Sequence, residues 1–153
     1  MDNPKDSGGL FQRTGKRNVV QQDREVLRLK VYKCEIPLRL PSLNDYILAC
    51  RKNKFAGGKF KEKIDSQIIP YVKDLPTFQG KISIHFHWVE ANKKRDPDNI
   101  ASGCKYILDA MQKSGVLYND NWQWIDTDTG FSHSFEVGDY PKIVLTIKEI
   151  EHG

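Results

Sequence analysis

The chain has 153 residues, of which 39% are hydrophobic and 29% are charged. This balance is ordinary for a soluble globular protein and predicts one domain with a modest core. No apolar run is long enough to span a membrane, and the N-terminal residues are too polar for a signal peptide. The three cysteines include no C-x-x-C pair, which argues against a disulfide scaffold or zinc ribbon and favours the cytoplasm.

The net charge of +4 is unevenly distributed along the chain. Residues 39–63 hold seven basic and two acidic residues, a balance of +5, so the rest of the chain sums to about −1. A concentrated basic segment is typical of a protein that binds a polyanion. A solvated surface without a partner is the alternative. The bases are Arg39, Arg51, Lys52, Lys54, Lys59, Lys61 and Lys63.

The first third of the chain predicts an arm, a strand and a short helix. Residues 1–25 are polar with charges of both signs, and we expect a flexible arm that precedes a domain over residues 26–153. A strand begins at Leu27 and carries a bulge where its apolar alternation changes phase. Ser42 or Asn44 caps the helix that follows, with Tyr46, Ile47 and Cys50 on its apolar side.

The middle of the chain predicts a turn, a helix and a strand. Ala56-Gly57-Gly58 indicates the turn, and apolar residues from Phe60 to Leu75 then follow helical spacing, with Pro70 ending or kinking the helix early. A strand opens at Gly80. Its two faces alternate, with Lys81, Ser83, His85 and His87 on one and Ile82, Ile84, Phe86 and Trp88 on the other.

The last third predicts a long helix and two further strands. The helix starts near Asp96 or Asp98 and ends before Gly115, with Ile100, Cys104, Ile107, Leu108 and Met111 as its buried stripe. A strand with Trp122, Trp124 and Ile125 follows, and Gly138-Asp139-Tyr140-Pro141 turns the chain into the last strand. Because strands and helices mix without strict alternation, we predict an α+β fold with a small mixed sheet and two to three helices.

Three carboxylates surround the long predicted helix. Asp96 and Asp98 flank Pro97 at its start, and Asp120 follows its end. Oxygen ligands of this kind suit Mg²⁺, which works on phosphate groups. A helix of some sixteen residues is about 24 Å long, so the chain must return for Asp120 to join the other two acids.

Lys105 lies seven residues after Asp98. Seven residues are close to two helical turns, and helical side chains lean toward the N-terminus. We therefore expect the Lys105 ammonium to reach the acidic end of the helix and to stabilise charge on a phosphate. Asp109 is expected to pair with Lys105 or Lys113.

Other interpretations of these residues stay open. Asp96 and Asp98 can simply cap a helix and stabilise its dipole, although the adjacent basic run Lys93-Lys94-Arg95 is not needed for capping. His85 and His87 share a strand face and supply half of the ligands of a zinc site, for which His133 is the candidate third ligand. Packed or solvated histidines are the alternative. Trp122 and Trp124 are expected to pack in the core or a subunit contact, with base stacking as the rival interpretation.

At these residues the chain resembles the RusA family of Holliday junction resolvases, in the branch carried by phages and prophages. The resemblance covers roughly residues 27–150 and includes Pro41-Ser42-Leu43-Asn44, an early element of the family. The central motif comprises Arg95-Asp96-Pro97-Asp98-Asn99-Ile100, Lys105-Tyr106-Ile107-Leu108-Asp109-Ala110, Lys113-Ser114-Gly115-Val116 and Asn119-Asp120. Two positions depart from the family. Ser102 stands where the better-known branch has its lysine, and Asn119 stands where the family often has a second acid.

The resemblance implies a homodimeric, Mg²⁺-dependent endonuclease that nicks opposed strands of a four-way junction in DNA recombination, repair or phage DNA processing. Mn²⁺ can substitute for Mg²⁺. Asp96, Asp98 and Asp120 match the family's catalytic, metal-binding acids, and Lys105 matches its essential lysine. The basic residues expected to bind DNA are Lys93, Lys94, Arg95, Arg51, Lys54, Lys59 and Lys61. A non-catalytic, structure-specific DNA-binding protein that retains the fold is the alternative.

Overall fold

The computed structural model describes residues 27–152. The predicted arm over residues 1–25 lies outside the described residues. The elements in chain order are β1 (Leu27–Ile36), α1 (Leu43–Lys52), α2 (Ala56–Val72), β2 (Ile82–Glu90), α3 (Pro97–Ala101), α4 (Cys104–Lys113), β3 (Phe131–Val137) and β4 (Lys142–His152). No described helix combines the length and apolar content needed to cross a membrane.

The four described strands form one mixed sheet in the order β1-β4-β2-β3. Strand β4 pairs antiparallel with both β1 and β2, whereas β3 runs parallel to β2. A parallel neighbour requires a crossover connection, and α3 and α4 lie between β2 and β3 in the chain. The α+β prediction with a small mixed sheet is therefore confirmed.

One face of the sheet forms the core with the helices. On β2 the predicted alternation is confirmed, because Ile82, Ile84, Phe86 and Trp88 are all buried. Their register partners on β4 are Glu149, Ile147, Leu145 and Ile143. Helices α2 and α4 contribute Ile64, Ile68, Val72, Ile107, Leu108 and Met111 to the same core. The opposite face of the sheet carries His85 and His87, which are partly exposed.

Strand β1 has no bulge. It pairs with β4 one residue to one from Leu27↔His152 to Ile36↔Ile143. Tyr32 and Cys34 pack against the core, whereas Leu29 and Val31 are 53% and 54% exposed. The predicted bulge was wrong because apolar residues occupy both faces of this edge strand, and the change of phase in the sequence is a change of face.

The start and end of α2 and the apolar side of α1 differ from the prediction. Ala56, Gly57 and Gly58 begin α2 rather than forming a turn. The helices approach closely at Gly57, where a Cβ atom would lie 2.5 Å from Cys50 Sγ and the Cys50 side chain would have to move. Pro70 does not end α2, which continues to Val72. The predicted apolar side of α1 is only partly correct: Tyr46 packs edge-on against Phe60, but α1 buries no residue completely.

The long predicted helix is in fact two helices. Helix α3 ends at Ala101, and α4 begins at Cys104. At the break, a Cβ atom on Gly103 would lie 3.3 Å from the Trp88 ring, so the backbone approaches β2 closely there. The predicted stripe is buried except for the half-buried Cys104. Gly115 follows α4 with φ +80°, as expected for a helix stop.

The segment between α4 and β4 also differs from the prediction. Residues around Trp122 and Trp124 form a turn rather than a strand, with one isolated bridge between Ile125 and Ile82. Trp122 is 82% exposed and does not pack in the core, while Trp124 is half-buried against the Tyr118 ring. The strand in this region is β3, which the sequence interpretation missed.

Candidate active site

Asp96 and Asp98 lie at the start of α3. Asp96 is the N-cap residue in extended conformation, and Pro97 follows as the first helical residue. The Asp96 side chain makes no capping hydrogen bond within the described part of the chain. Asp98 Oδ1 accepts a local bond, from Asn99 N at 2.9 Å. Because both acids are exposed, their carboxylate oxygens face solvent, and the capping interpretation does not account for Asp96.

Arg95, the residue before Asp96, holds the start of α3 in place; we call this place the α3 corner. The Arg95 guanidinium contacts both carboxylate oxygens of Glu90, with Nη2 at 3.1 and 3.0 Å, and donates from Nη1 to the Leu40 carbonyl at 3.0 Å. A second guanidinium, that of Arg39, lies 3.6 Å from Glu90 Oε1. The Arg95 side chain is only 15% exposed, so little of it is available for the predicted DNA contact.

Asp120 lies beside the first turn of α4. After Gly115, the amides of Val116 and Leu117 donate back to the Met111 carbonyl at 3.0 and 3.1 Å, which turns the chain toward the helix. Asp120 Oδ2 then accepts from Lys105 Nζ at 3.0 Å. This contact brings the segment back to Lys105 of α4. The predicted return to Asp96 and Asp98 stays a prediction. The predicted face match between Lys105 and Asp98 is wrong, because the two residues belong to different helices.

Lys105 belongs to a longer series of alternating charges that links α2, α4 and the Asp120 segment. Asp109 lies 3.2 Å from Lys105 and 2.5 Å from Lys61, which confirms the predicted Lys105–Asp109 pair. Lys61 lies 3.7 Å from Asp65, and Asp65 lies 3.0 Å from Lys113. We call this series the ion-pair ladder: Lys113, Asp65, Lys61, Asp109, Lys105 and Asp120.

The ladder raises the pKa of Lys105 and of Lys113. The hydrogen bond to Asp120 is the largest cause that raises the pKa of Lys105, and Asp109 raises it further against the opposing effect of partial burial. Asp65 raises the pKa of Lys113 in the same way. Each carboxylate favours the charged ammonium, so Lys105 offers a full positive charge beside Asp120.

The donor atoms suit the predicted metal, but the three-acid arrangement is not formed. Carboxylate oxygens at Asp96, Asp98 and Asp120 are the ligands that Mg²⁺ prefers. Over residues 27–152, however, no group of three or more His, Cys, Asp or Glu side chains is arranged to hold a metal ion. Asp120 is bound to Lys105 instead. A site shared by all three acids therefore stays a prediction.

The histidines do not form the zinc site considered above. His85 and His87 lie on the open face of the sheet, where both contact Ser134 Oγ, at 2.7 and 2.6 Å. His133 lies on the core face, stacked on the Phe86 ring and accepting from Trp88 Nε1 at 3.0 Å. Burial lowers the pKa of His133. Since the third histidine is on the other face of the sheet, the packed-histidine interpretation is correct for His133.

The predicted DNA-binding residues divide into two groups. The side chains of Lys93, Lys94, Arg51, Lys54 and Lys59 are exposed. Arg95 and Lys61 are instead engaged with acidic residues of the same chain, and the Lys61 side chain is only 22% exposed. The exposed group is therefore the better candidate for contacts with phosphate.

Comparison with protein-family models and with curated proteins found no match to this chain. The resemblance to the RusA family therefore rests on the motif residues themselves.

Proposed function

We propose that the chain is a Mg²⁺-dependent endonuclease of the RusA type that acts on four-way junctions and related branched DNA. The observation that carries the proposal is the contact between Lys105 and Asp120, at 3.0 Å between side chains fifteen residues apart. It brings together two members of the proposed catalytic set that sequence spacing alone does not join. The uncapped, exposed Asp96 supports the same interpretation.

Each residue has a role in this proposal. Asp96, Asp98 and Asp120 would hold Mg²⁺, for which Mn²⁺ could substitute, and the chemistry supplied by a bound ion would be activation of water and stabilisation of charge on the phosphate. Lys105 supplies a permanent positive charge near the phosphate that is cleaved. The exposed bases Lys93, Lys94, Arg51, Lys54 and Lys59 bind flanking backbone phosphates. A homodimer would place two such sites on the opposed strands of a junction.

The test is a nicking assay with an end-labelled four-way junction, with and without Mg²⁺. We expect nicking only with Mg²⁺, and we expect Asp98→Asn to lower the rate about a hundredfold while junction binding in a gel shift is largely retained. Binding should weaken steeply as salt rises, because phosphate contacts release counterions. Asp74→Asn removes an exposed acid just after α2 and should nick like the wild type.

The second candidate is a DNA-binding protein without nuclease activity. It is favoured by one observation: no group of three or more His, Cys, Asp or Glu side chains is arranged to hold a metal ion within residues 27–152. This candidate predicts a gel shift with branched DNA and no metal-dependent nicking. Wild-type nicking by Asp98→Asn would also reject the proposed catalytic assignment.

A further inference from the structure

Asp109 is shared between two lysines from different helices. Its Oδ2 atom contacts Lys61 Nζ of α2 at 2.5 Å, and its Oδ1 atom contacts Lys105 Nζ of α4 at 3.2 Å. Lys105 therefore has two carboxylate partners, Asp109 on its own helix and Asp120 beyond it. A residue with two partners in different directions is restricted more than a residue with either partner alone.

The Lys105–Asp109 pair would be weak without Lys61. The Lys105 side chain is 63% exposed, and exposed ion pairs contribute only about 0–1 kcal/mol. The order of the pair, with the lysine four residues before the acid, is also the less favourable one on a helix. A second contact that restricts Asp109 is therefore what keeps its Oδ1 atom directed at Lys105.

Lys61 is suited to that task because its own position is restricted. The Asp65 carboxylate beside it is buried, with 4% of the side chain exposed, and Lys113 binds its Oδ2 atom at 3.0 Å. Asp65 Oδ1 has no hydrogen-bond partner in the described structure, and the Lys61 ammonium lies 3.7 Å from it. The Lys61 ammonium also lies 5.9 Å from the centre of the buried Tyr106 ring. Leaving this place would cost Lys61 several favourable contacts.

We propose that Asp109 and Lys61 are positioning residues for Lys105, which Lys61 directs indirectly by holding the Asp109 carboxylate. The proposal rests on the nuclease function proposed above. It also changes the role of Lys61, which the basic segment had suggested as a DNA contact. Asp109 restricts the Lys105 ammonium through a contact that does not use the Asp120 carboxylate.

The proposal predicts that loss of either positioning residue slows cleavage more than it weakens binding. In single-turnover assays at saturating protein, we expect Asp109→Asn and Lys61→Met to lower the nicking rate about tenfold or more. The junction Kd, measured without Mg²⁺, should change less than about twofold, since neither side chain contacts DNA in this proposal. Asp109→Glu keeps the carboxylate and should recover much of the rate.

Matched controls come from the exposed end of α2. Lys73→Met and Asp74→Asn make the same changes of charge at exposed positions, and both should nick and bind like the wild type. The double variant Lys61→Met with Asp109→Asn should nick at about the rate of Asp109→Asn alone, because both residues act through one contact with Lys105. Thermal unfolding of each variant identifies any loss of fold.

A second measurement reads the position of Lys105 without cleavage. In ¹⁵N-lysine NMR spectra, an ammonium held between two carboxylates exchanges its protons slowly, and Lys105→Arg assigns its signal. We expect this signal in the wild type and its broadening in both Asp109→Asn and Lys61→Met, but not in Lys73→Met.

The possible failures point to different conclusions. If Lys61→Met raised the junction Kd and left the single-turnover rate unchanged, Lys61 would be a phosphate contact and the inference would be wrong. Wild-type rates in both Asp109→Asn and Lys61→Met would also reject it while leaving the nuclease proposal intact. If the wild type bound DNA but nicked nothing, the proposed function would fail, and the ammonium signal would still decide whether Asp109 and Lys61 hold Lys105.

Discussion

The starts of α1 and α3 both carry an acid in the first turn, yet they are built in opposite ways. At α1, Ser42 accepts from the Asp45 amide at 3.2 Å, and the Asp45 carboxylate accepts from the Ser42 amide at 2.9 Å. At α3, Asp96 makes no capping bond within the described residues. That corner is held by Arg95, which pairs with Glu90 and donates to the Leu40 carbonyl.

This difference distinguishes acids that satisfy backbone groups of the fold from acids that are available to bind a ligand. A capping box uses its carboxylate to satisfy backbone N–H groups at the helix start, so Asp45 has a structural task. At α3 the Arg95 guanidinium instead holds the chain just before the helix, by donating to Glu90 and to the Leu40 carbonyl, and Asp96 and Asp98 are exposed. Carboxylates that a fold supports but does not use are good candidates for binding a ligand.

The largest effect on stability is expected when the support of the α3 corner is removed. Arg95→Met leaves the Glu90 carboxylate, which is 11% exposed, with only the more distant Arg39 guanidinium. Breaking a buried pair in this way costs about 3 kcal/mol, and urea denaturation should show that loss in the free energy of unfolding. If Arg95→Met unfolded like the wild type, the corner would not depend on Arg95 and the comparison would fail.

A moderate effect is expected at the capped helix. Ser42→Ala removes the acceptor for the Asp45 amide and should lower the free energy of unfolding by about 1 kcal/mol. The same urea titration measures it. The Ser42 carbonyl accepts from the buried Tyr106 hydroxyl at 3.1 Å, and because that bond uses the backbone, Ser42→Ala retains it and isolates the effect of the cap.

The smallest effect on stability is expected at Asp96. Because its side chain makes no capping bond in the described structure, Asp96→Ala should change the free energy of unfolding by no more than about 0.5 kcal/mol. Metal-dependent nicking should nevertheless fall strongly if the proposed function is correct. A loss of stability as large as that of Ser42→Ala would restore the capping interpretation of Asp96.

Local pattern was a good guide to parts of the fold. Strict alternation identified β2, helical spacing identified the buried stripe around Met111, and Gly115 identified the end of α4. The split between α3 and α4 could not be found in this way, because the apolar spacing continues across it from Ile100 to Ile107. At the break the backbone of Gly103 closely approaches the Trp88 ring, a tertiary contact that apolar spacing does not contain.

Two predictions between α4 and β4 were wrong for a related reason: a strand was expected at Trp122, and β3 was missed. Aromatic residues favour strands, which suggested a strand at Trp122, but Asn121 accepts bonds from the amides of Trp124 and Ile125 in a turn. Strand β3 alternates small polar and aromatic residues at an exposed sheet edge, so its hydrophobic signal is weak. Its position is set by pairing with β2, which sequence spacing does not contain.

The candidate site was predictable only where one helix contains both partners. The Lys105–Asp109 pair follows from a spacing of four residues. Lys61 and Asp65 come from α2, and their contacts with Asp109 and Lys113 depend on how two helices pack. The hydrophobic stripe predicts that such helices pack, but it does not predict which charged side chains then meet.

The strand order has a consequence for synthesis on the ribosome. Strand β4 is the last described strand in sequence, yet it lies between β1 and β2. Leu145, the register partner of Cys34, is synthesised more than a hundred residues later. Strand β1 therefore has no neighbour in the sheet until nearly the whole described chain has been made. We therefore expect the nascent chain to complete its sheet late, and a chain cut before Lys142 to lose the strand that joins the sheet's two halves.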